Sequence, residues 1–369
     1  MTKPDDLLPI GLEDALPQRA ATITRAMRDV LKAMDSHGYD RVRPPLIEFE
    51  HSLGSRMEGV ATRRMVRFTD PESLRTLALR GDMTVQVGRI AATGMADAPR
   101  PLRLCYAGDV ALLKADQLDP ARQRLQMGAE LIGRDNVAAA IEAVTVALDA
   151  LEAAGVTGLS VDLTLPDLVD TLADKALPLA ADRREAVRRE LDMKDAGALK
   201  AAGGEAYLPL LYATGPYEEA VEKLAVIDAG GVLATRISAL REVAEALGER
   251  VRLTLDPSER HGFEYQSWFG FTLHASGARG ALGRGGTYAI KGSDEAATGF
   301  SLYMEPLLEV LGSDPQGREA VFLPLGHDRT VAARLRSEGW RTIAANGESD
   351  DPAALGCTHV LGEGGPAPL

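Results

Sequence analysis

The sequence has few of the residues that build disulfide scaffolds or cysteine-bound metal sites. It contains two cysteines, Cys105 and Cys357, which lie far apart and have no C-x-x-C spacing. A disulfide framework and a zinc site built on cysteines are therefore excluded, and the composition fits a reducing compartment. Aromatic residues are also scarce, at 5% of the chain, whereas hydrophobic residues make up 45%. The core must therefore consist mainly of Leu, Val, Ile and Ala.

Long apolar runs and positive charge are also lacking. No run of about 18 apolar residues is free of charge, so no membrane-spanning segment is predicted. The N-terminus carries acidic residues where a secretory signal needs a basic region and an apolar stretch. The formal net charge of −13 repels phosphate backbones. We therefore expect a cytoplasmic protein that binds neither membranes nor nucleic acid.

Hydrophobic spacing predicts a first helix and then an extended segment. The apolar residues at helical spacing are Ile23, Met27, Val30, Leu31 and Met34. Gly38 ends this pattern. Pro44 and Pro45 exclude a helix in the next segment, which is predicted to lie extended at a sheet edge or an interface.

The remaining pattern predicts an α+β fold in which antiparallel strands form one large sheet with helices grouped around it. A stretch rich in Ala, Leu, Glu and Arg predicts a helical insertion at about 168–249. The glycine-rich sequence GARGALGRGG, residues 277–286, is interpreted as a turn. A Gly-, Ser- and Pro-containing linker then separates a domain at 1–312 from a small C-terminal β-α-β module at 319–369.

Several segments occur in the order and spacing of the histidyl-tRNA synthetase catalytic domain, a class II aminoacyl-tRNA synthetase domain, and resemble it over about residues 7–312. GYDRVRPPLIEFEHSL resembles motif 1, the dimer-interface element. LRGDMTVQVGRIA resembles the LRPE/DxT segment of that family, and LRLCYAGDVALLKADQLDPARQRLQMGAELIG resembles motif 2 with its loop. RHGFEYQSWFGFTLHAS, GRGGTY and GFSLYMEPLL resemble the histidine-specific segment and motif 3. The resemblance implies a class II antiparallel sheet flanked by helices.

The chain departs from this family at the positions that handle ATP. The arginine and glutamate of motif 2 correspond to Leu112 and Lys114. The catalytic arginine of the histidine-specific segment corresponds to His261, and the arginine that ends motif 3 corresponds to Glu305. Losing one preorganised donor of this kind costs roughly 3 to 4 kcal/mol of transition-state stabilisation. We therefore expect no aminoacylation, and no catalysis from this chain alone.

The amino-acid end of the pocket of that family is better preserved. The resemblance implies a histidine-binding site formed by Asp82, Thr84, Gln126, Glu130, Tyr265 and Tyr288. Gln126 and Glu130 are four residues apart on a predicted strand and therefore face the same side of the sheet. Glu130 can accept a charge-assisted hydrogen bond from an ammonium or an imidazole N–H. Without the resemblance, Asp82, Gln126 and Glu130 fit a solvated polar groove better than a binding site, and Tyr265 and Tyr288 fit core or interface aromatics.

A histidyl-tRNA synthetase-like chain with these losses is similar to the regulatory subunits of ATP phosphoribosyltransferase, the first enzyme of histidine biosynthesis. The resemblance implies that the chain pairs with a short catalytic subunit, activates it and contributes to the response to free histidine. It also implies a homodimer formed through the motif 1-like segment. We expect no cofactor and no metal site. Two alternatives stay open, a divergent histidyl-tRNA synthetase and a synthetase-derived RNA-binding or sensor module.

Overall fold

The computed structural model describes residues 7–55, 65–114, 120–260, 266–312 and 319–369. The chain divides into two units, Met1–Leu311 and Gly312–Leu369. We retain 1–312 and 319–369 as the proposed limits of two domains. Within the described part of the chain, no helix is both long enough and apolar enough to cross a membrane.

The first unit contains most of the helices and strands. Its described helices are α1 Pro17–Ser36, α2 Glu50–Gly54, α3 Thr84–Ala92, α4 Val137–Ala153, α5 Leu168–Lys175, α6 Ala181–Asp192, α7 Ala196–Ala201, α8 Tyr217–Ile227, α9 Ala234–Leu247 and α10 Met304–Val310. Its described strands are β1 Asp40–Arg41, β2 Ile47–Phe49, β3 Arg67–Thr69, β4 Thr76–Leu79, β5 Leu102–Ala111, β6 Gln123–Ile132, β7 Leu159–Thr164, β8 Gly215–Pro216, β9 Arg252–Leu255, β10 Gln266–Ala275, β11 Gly283–Ala289 and β12 Ala296–Tyr303.

A nine-stranded sheet is the centre of the first unit, with the strand order β1-β5-β6-β12-β11-β10-β7-β9-β8. Neighbouring strands are antiparallel except for the parallel pairs β1–β5 and β7–β9. Strands β2, β4 and β3 form a separate antiparallel sheet. The predicted α+β fold with one large sheet is confirmed.

One face of the large sheet is covered by helices α1 and α4. Val30 and Met34 of α1 and Val144 and Leu148 of α4 are fully or almost fully buried in the main core. Asn136 caps α4, because its side-chain oxygen accepts a hydrogen bond from the backbone N–H of Ala139 at 3.0 Å. Since side chains alternate between the two faces of a strand, the residues that do not face these helices point to the opposite face. That opposite face carries the candidate site.

The structure corrects two predictions about the connections. The stretch 168–249 is not only helical, because Gly215–Pro216 forms β8 and pairs with β9 at the sheet edge. Residues 283–286 do not form a turn, because they begin the central strand β11. Glycine is required there, since a Cβ at Gly285 would overlap the ring of Phe271 on the neighbouring strand β10.

The second unit contains one helix and a four-stranded sheet among its described residues. Its elements are β13 Ala320–Leu323, α11 Arg329–Ser337, β14 Arg341–Ala344, β15 His359–Gly362 and β16 Gly365–Pro368. The strand order is β14-β13-β15-β16, with β13 parallel to both of its neighbours and β16 antiparallel to β15. The predicted β-α-β pattern is present, and β16 extends the sheet by a further strand.

Candidate functional site

Side chains from several neighbouring strands meet on the sheet face opposite α1 and α4. The backbone register pairs Tyr106 of β5 with Gly128 of β6, and Gly128 with Ser301 of β12. Directly paired residues face the same side of a sheet. Gln126 and Glu130 flank Gly128 at a spacing of two residues, so they share this face. The predicted common orientation of Gln126 and Glu130 is confirmed.

Glu130 lies at the centre of this face and is 1% exposed. The hydroxyl of Tyr288 donates a 2.7 Å hydrogen bond to Glu130 Oε2. The hydroxyl of Tyr106 donates a 3.1 Å hydrogen bond to Glu130 Oε1. Tyrosines on two different strands therefore hold the carboxylate in a fixed orientation, as expected of a preorganised ligand-binding group.

Gln126 connects the carboxylate of Asp82 to the same face. Its side-chain oxygen accepts a 2.9 Å hydrogen bond from the backbone N–H of Met83. Its Nε2 donates to Ser301 Oγ at 2.7 Å and to Asp82 Oδ2 at 3.4 Å. Asp82 Oδ1 accepts a 2.6 Å hydrogen bond from the backbone N–H of Thr84, at the start of α3. The described residues of the predicted site thus form one connected network.

Two glycines make room for these polar side chains. A Cβ at Gly299 would overlap the Glu130 carboxylate, and a Cβ at Gly128 would overlap the Tyr106 hydroxyl. Both glycines lie inside strands, where glycine is otherwise unfavourable. Their presence indicates that the positions of the polar groups, rather than sheet stability, determined the residue type here.

Burial changes the protonation of the acidic groups in this network. The pKa of Glu130 is raised to about 8, mainly by desolvation; the hydrogen bond from Tyr288 opposes this shift and the nearby Asp82 carboxylate adds to it. Desolvation also raises the pKa of Asp82 above its usual range. Without a ligand, Glu130 is therefore largely protonated near neutral pH. A cationic ligand would favour its ionised form.

A narrow cleft of about 20 Å³ lies above Glu130 and shares Arg284 with a larger groove. Its lining residues are Thr84, Glu130, Gln266, Arg284, Gly285, Gly286, Tyr288, Gly299, Phe300 and Ser301. The cleft contains acceptors, hydroxyl donors and one guanidinium group, a combination that fits a small polar zwitterion. Tyr265 and His261 lie outside the described residues, and their predicted roles stay predictions.

Sequence reasoning missed Tyr106, Ser301 and Arg284. Tyr106 and Ser301 each form hydrogen bonds within the network, and Arg284 lines the cleft. Tyr106 and Ser301 have apolar neighbours in their strands and therefore resemble ordinary core positions, whereas Arg284 lies in the glycine-rich stretch that was predicted to be a turn. The available signal was the period of two, which places Tyr106 on the face opposite Cys105, but its cross-strand partners depend on tertiary register.

Among the described positions that correspond to the ATP-handling residues, Glu305 lines a larger groove. Glu305, on the first turn of α10, accepts a hydrogen bond from the backbone N–H of Leu125 at 3.1 Å. It also lines grooves of about 460 and 650 Å³ that share several residues, among them Arg19 and Arg124. Lys114 is exposed and Leu112 is half-buried. A carboxylate therefore occupies the groove near the position where the resemblance implies an arginine.

The buried guanidinium of Arg80 joins the motif 1-like segment to the site. Arg80 is 5% exposed. It donates hydrogen bonds to the carbonyl oxygens of Asp109 at 2.7 Å, Pro44 at 2.9 Å and Pro45 at 3.4 Å. A Cβ at Gly108 would overlap this guanidinium. Arg80 thus fixes the double-proline segment against strand β5, two residues before Asp82.

Comparison with known proteins shows which family the chain is similar to. A family model described as histidyl-tRNA synthetase matches residues 11–307. A protein of Rhodospirillum centenum named ATP phosphoribosyltransferase regulatory subunit is 42% identical over 97% of this chain and 95% of its own length. A protein of Paramagnetospirillum magneticum with the same name is 40% identical over 97% of each chain.

Solved structures show the same fold. A structure described as an ATP phosphoribosyltransferase regulatory subunit/histidyl-tRNA synthetase from Bacillus halodurans matches with a TM-score of 0.83 and 23% identity, over 96% of this chain and 97% of that chain. A histidyl-tRNA synthetase from Nostoc sp. matches with a TM-score of 0.78 and 15% identity, over 97% of this chain and 91% of that chain. By fold and by sequence, the chain belongs to the histidyl-tRNA synthetase-like family of ATP phosphoribosyltransferase regulatory subunits.

Proposed function

We propose that this chain is a non-catalytic regulatory subunit that assembles with a short ATP phosphoribosyltransferase catalytic subunit and activates it. We further propose that it contributes to feedback by binding free histidine in the cleft above Glu130. The observation that carries this proposal is an asymmetry between the two ends of the ancestral pocket. Asp82, Gln126 and Glu130 belong to one hydrogen-bonded network in which Gln126 and Glu130 are buried, whereas Leu112 has no polar side-chain atom and Glu305 carries the same charge sign as phosphate.

The cleft suits histidine because it offers acceptors to a ligand that has several N–H donors. In this proposal the Glu130 carboxylate accepts a hydrogen bond from an imidazole N–H. Asp82, which Gln126 joins to the same network, accepts one from the α-ammonium. Both interactions are charge-assisted in a buried environment and are therefore stronger than neutral hydrogen bonds. Thr84 and Tyr288 line the same cleft and orient the ligand.

Co-expression with a short catalytic subunit is expected to give a stable complex with higher phosphoribosyltransferase activity than the catalytic subunit alone. Added histidine should lower the activity of this complex. The measurement is co-purification followed by a steady-state assay with and without histidine, and the isolated catalytic subunit is the control. Failure to form a complex, together with unchanged activity, would contradict the proposal.

The two alternative functions have direct tests. A divergent synthetase would catalyse histidine-dependent ATP–pyrophosphate exchange, and we expect none. An RNA-binding module would bind tRNA with an affinity that falls steeply as salt rises, because phosphate contacts release counterions. The formal net charge of −13 argues against such binding.

We also propose that the chain forms a homodimer through the motif 1-like segment. The segment carries Leu46, at 41% exposure, and Ile47, at 42% exposure, and the adjacent β3 carries Phe68, at 41% exposure. Strands β2 and β3 flank β4, so these exposed apolar side chains belong to one small sheet. An exposed apolar cluster on a structured sheet is characteristic of a protein interface.

Replacing Ile47 and Phe68 together with aspartate is expected to convert the dimer into a monomer. Two buried charges facing their symmetry copies would lack partners, which costs several kcal/mol. Analytical ultracentrifugation measures the outcome. Val226→Asp on α8, where the side chain is 88% exposed, is the matched control and should stay dimeric. A double variant that dimerises as tightly as the control would exclude this interface.

A further inference from the structure

The proposed histidine site needs a cation for one end of its ligand. A free amino acid carries a carboxylate as well as an ammonium group. The network above contains the carboxylates of Asp82 and Glu130, which would repel that carboxylate if nothing compensated them. The resemblance implies that motif 2 of an active synthetase provides an arginine for this purpose, and here that position is Leu112. A zwitterion bound in the cleft must therefore have its carboxylate held by a different residue.

Arg284 occupies a central place on the same sheet face. It lies in β11, where its direct partners are Ser301 of β12 and Thr272 of β10. Ser301 Oγ accepts the 2.7 Å hydrogen bond from Gln126 Nε2 and lies 3.1 Å from the Tyr106 hydroxyl. Arg284 is therefore one strand away from the polar network, a separation of about 4.8 Å between backbones.

The position of Arg284 distinguishes it from the other arginines near the groove. Arg284 lines both the cleft above Glu130 and the larger groove next to it. Arg124 lines the groove but not the cleft. The side chain of Arg279 is 90% exposed and forms an ion pair with Glu309 at 2.8 Å. Among the described residues, Arg284 is the guanidinium placed where a ligand in the cleft ends and the groove begins.

We propose that Arg284 binds the α-carboxylate of histidine and thereby replaces the arginine lost at position 112. This inference rests on the proposed histidine site. A guanidinium presents parallel N–H donors that match the two oxygens of a carboxylate, which gives directional as well as electrostatic recognition. The cleft then selects α-amino acids that have a free carboxylate. It discriminates against compounds that keep the imidazole and the ammonium but lack the carboxylate, such as the amino alcohol histidinol.

The test compares histidine and histidinol as ligands of the full chain in isothermal titration calorimetry. The unmodified chain is expected to bind histidine roughly 100-fold more tightly than histidinol, since a charge-assisted bidentate contact is lost. Arg284→Gln should lower the histidine affinity by a similar factor and leave the histidinol affinity nearly unchanged. Arg279→Gln removes the same charge at the groove rim and should behave like the unmodified chain.

Other results of this calorimetry would overturn either the assignment of Arg284 alone or the histidine site as well. Equal losses for both ligands in Arg284→Gln, or a histidine-specific loss in Arg124→Gln instead, would overturn the assignment while leaving the histidine site in place. No histidine binding by the unmodified chain, alone or in complex with the catalytic subunit, would overturn the site and the assignment together. If Arg284→Gln does not fold, Arg284→Lys decides the question. It keeps the charge but not the bidentate geometry, and an intermediate loss of about 10-fold for histidine alone is expected.

Discussion

Replacing Glu130 with glutamine is expected to weaken histidine binding roughly 100-fold while leaving the chain folded. Glutamine has the shape of glutamate but cannot present a charge to the ligand, and hydrogen bonds to charged groups contribute about 1.5 to 3 kcal/mol. The fold should tolerate the change near neutral pH because the pKa of Glu130 is raised to about 8, so the native side chain is already largely neutral. Isothermal titration calorimetry measures the affinity.

Glu245→Gln on α9 is the matched control, because this side chain is exposed. It should bind histidine like the unmodified chain. The Glu130→Gln subunit should still assemble with the catalytic subunit and activate it, but the complex should no longer respond to histidine. If histidine binds Glu130→Gln with normal affinity, the cleft above Glu130 is not the binding site.

The protonation of Glu130 also predicts a pH dependence of stability. The carboxyl group is protonated in the fold up to about pH 8 and ionised in the unfolded chain above its usual value of 4.5. Between these values the folded state binds more protons, so the contribution of Glu130 to the free energy of unfolding is fully present below 4.5 and lost as pH rises through about 8. Thermal unfolding across this range should show a smaller decline in Glu130→Gln than in the unmodified chain.

Histidine binding should also change the protonation of Glu130. A cationic ligand favours ionised Glu130, so histidine binding near neutral pH should release a proton from this group. Calorimetry in buffers with different ionisation enthalpies measures the release. Glu130→Gln should lack this component.

Replacing Arg80 with alanine is expected to lower the free energy of unfolding by about 3 to 5 kcal/mol. The substitution leaves the carbonyl oxygens of Pro44 and Asp109 without their donor and opens a cavity under the double-proline segment. Each buried acceptor left without a hydrogen bond costs about 1 to 3 kcal/mol. The chain has two units, and its unfolding need not be a single two-state transition. The change in the free energy of unfolding should therefore be taken from the transition whose midpoint differs between Arg80→Ala and the unmodified chain.

Arg134→Ala is the control for the loss of an arginine, since Arg134 is exposed and its side chain donates only to the adjacent carbonyl oxygen of Gly133 among the described residues. It should change the free energy of unfolding by no more than about 0.5 kcal/mol. The free energy of unfolding of Arg80→Lys should lie between those of Arg80→Ala and Arg134→Ala. An ammonium group can donate hydrogen bonds to some of the carbonyl oxygens that Arg80 contacts, but it cannot reach all of them. Equal unfolding midpoints for Arg80→Ala and Arg134→Ala would show that these hydrogen bonds contribute little.

Arg80→Ala should also weaken histidine binding, because Arg80 lies two residues before Asp82 in the same segment. Gln86, on the following helix α3, donates a 2.8 Å hydrogen bond to the carbonyl oxygen of Pro45. The double-proline segment is thus held by residues on both sides of Asp82. A disturbance at the motif 1-like segment would therefore move the acid that we propose receives the α-ammonium.

The sequence by itself determined the fold class and the order of the elements. Periodic apolar residues identified α1, and Pro44 and Pro45 identified the non-helical segment that follows it. These signals are local, because the burial of one face of a helix or strand imposes a fixed spacing on its own residues. The same is true of the common orientation of Gln126 and Glu130, which follows from the period of two within a single strand.

Only the tertiary structure decided which polar residues meet. Tyr106, Ser301 and Arg284 lie far apart in the sequence, and their side chains come together because the order of strands in the sheet places β5, β6, β12 and β11 side by side. The glycines at 283–286 were misread as a turn for the same reason, since the neighbours that exclude a Cβ belong to other strands. Strand register is fixed by packing across the whole sheet and not by local propensity. The sequence thus identified Asp82, Gln126 and Glu130 as one group of polar residues, and the fold supplied Tyr106 and Ser301, which join them into one hydrogen-bonded network.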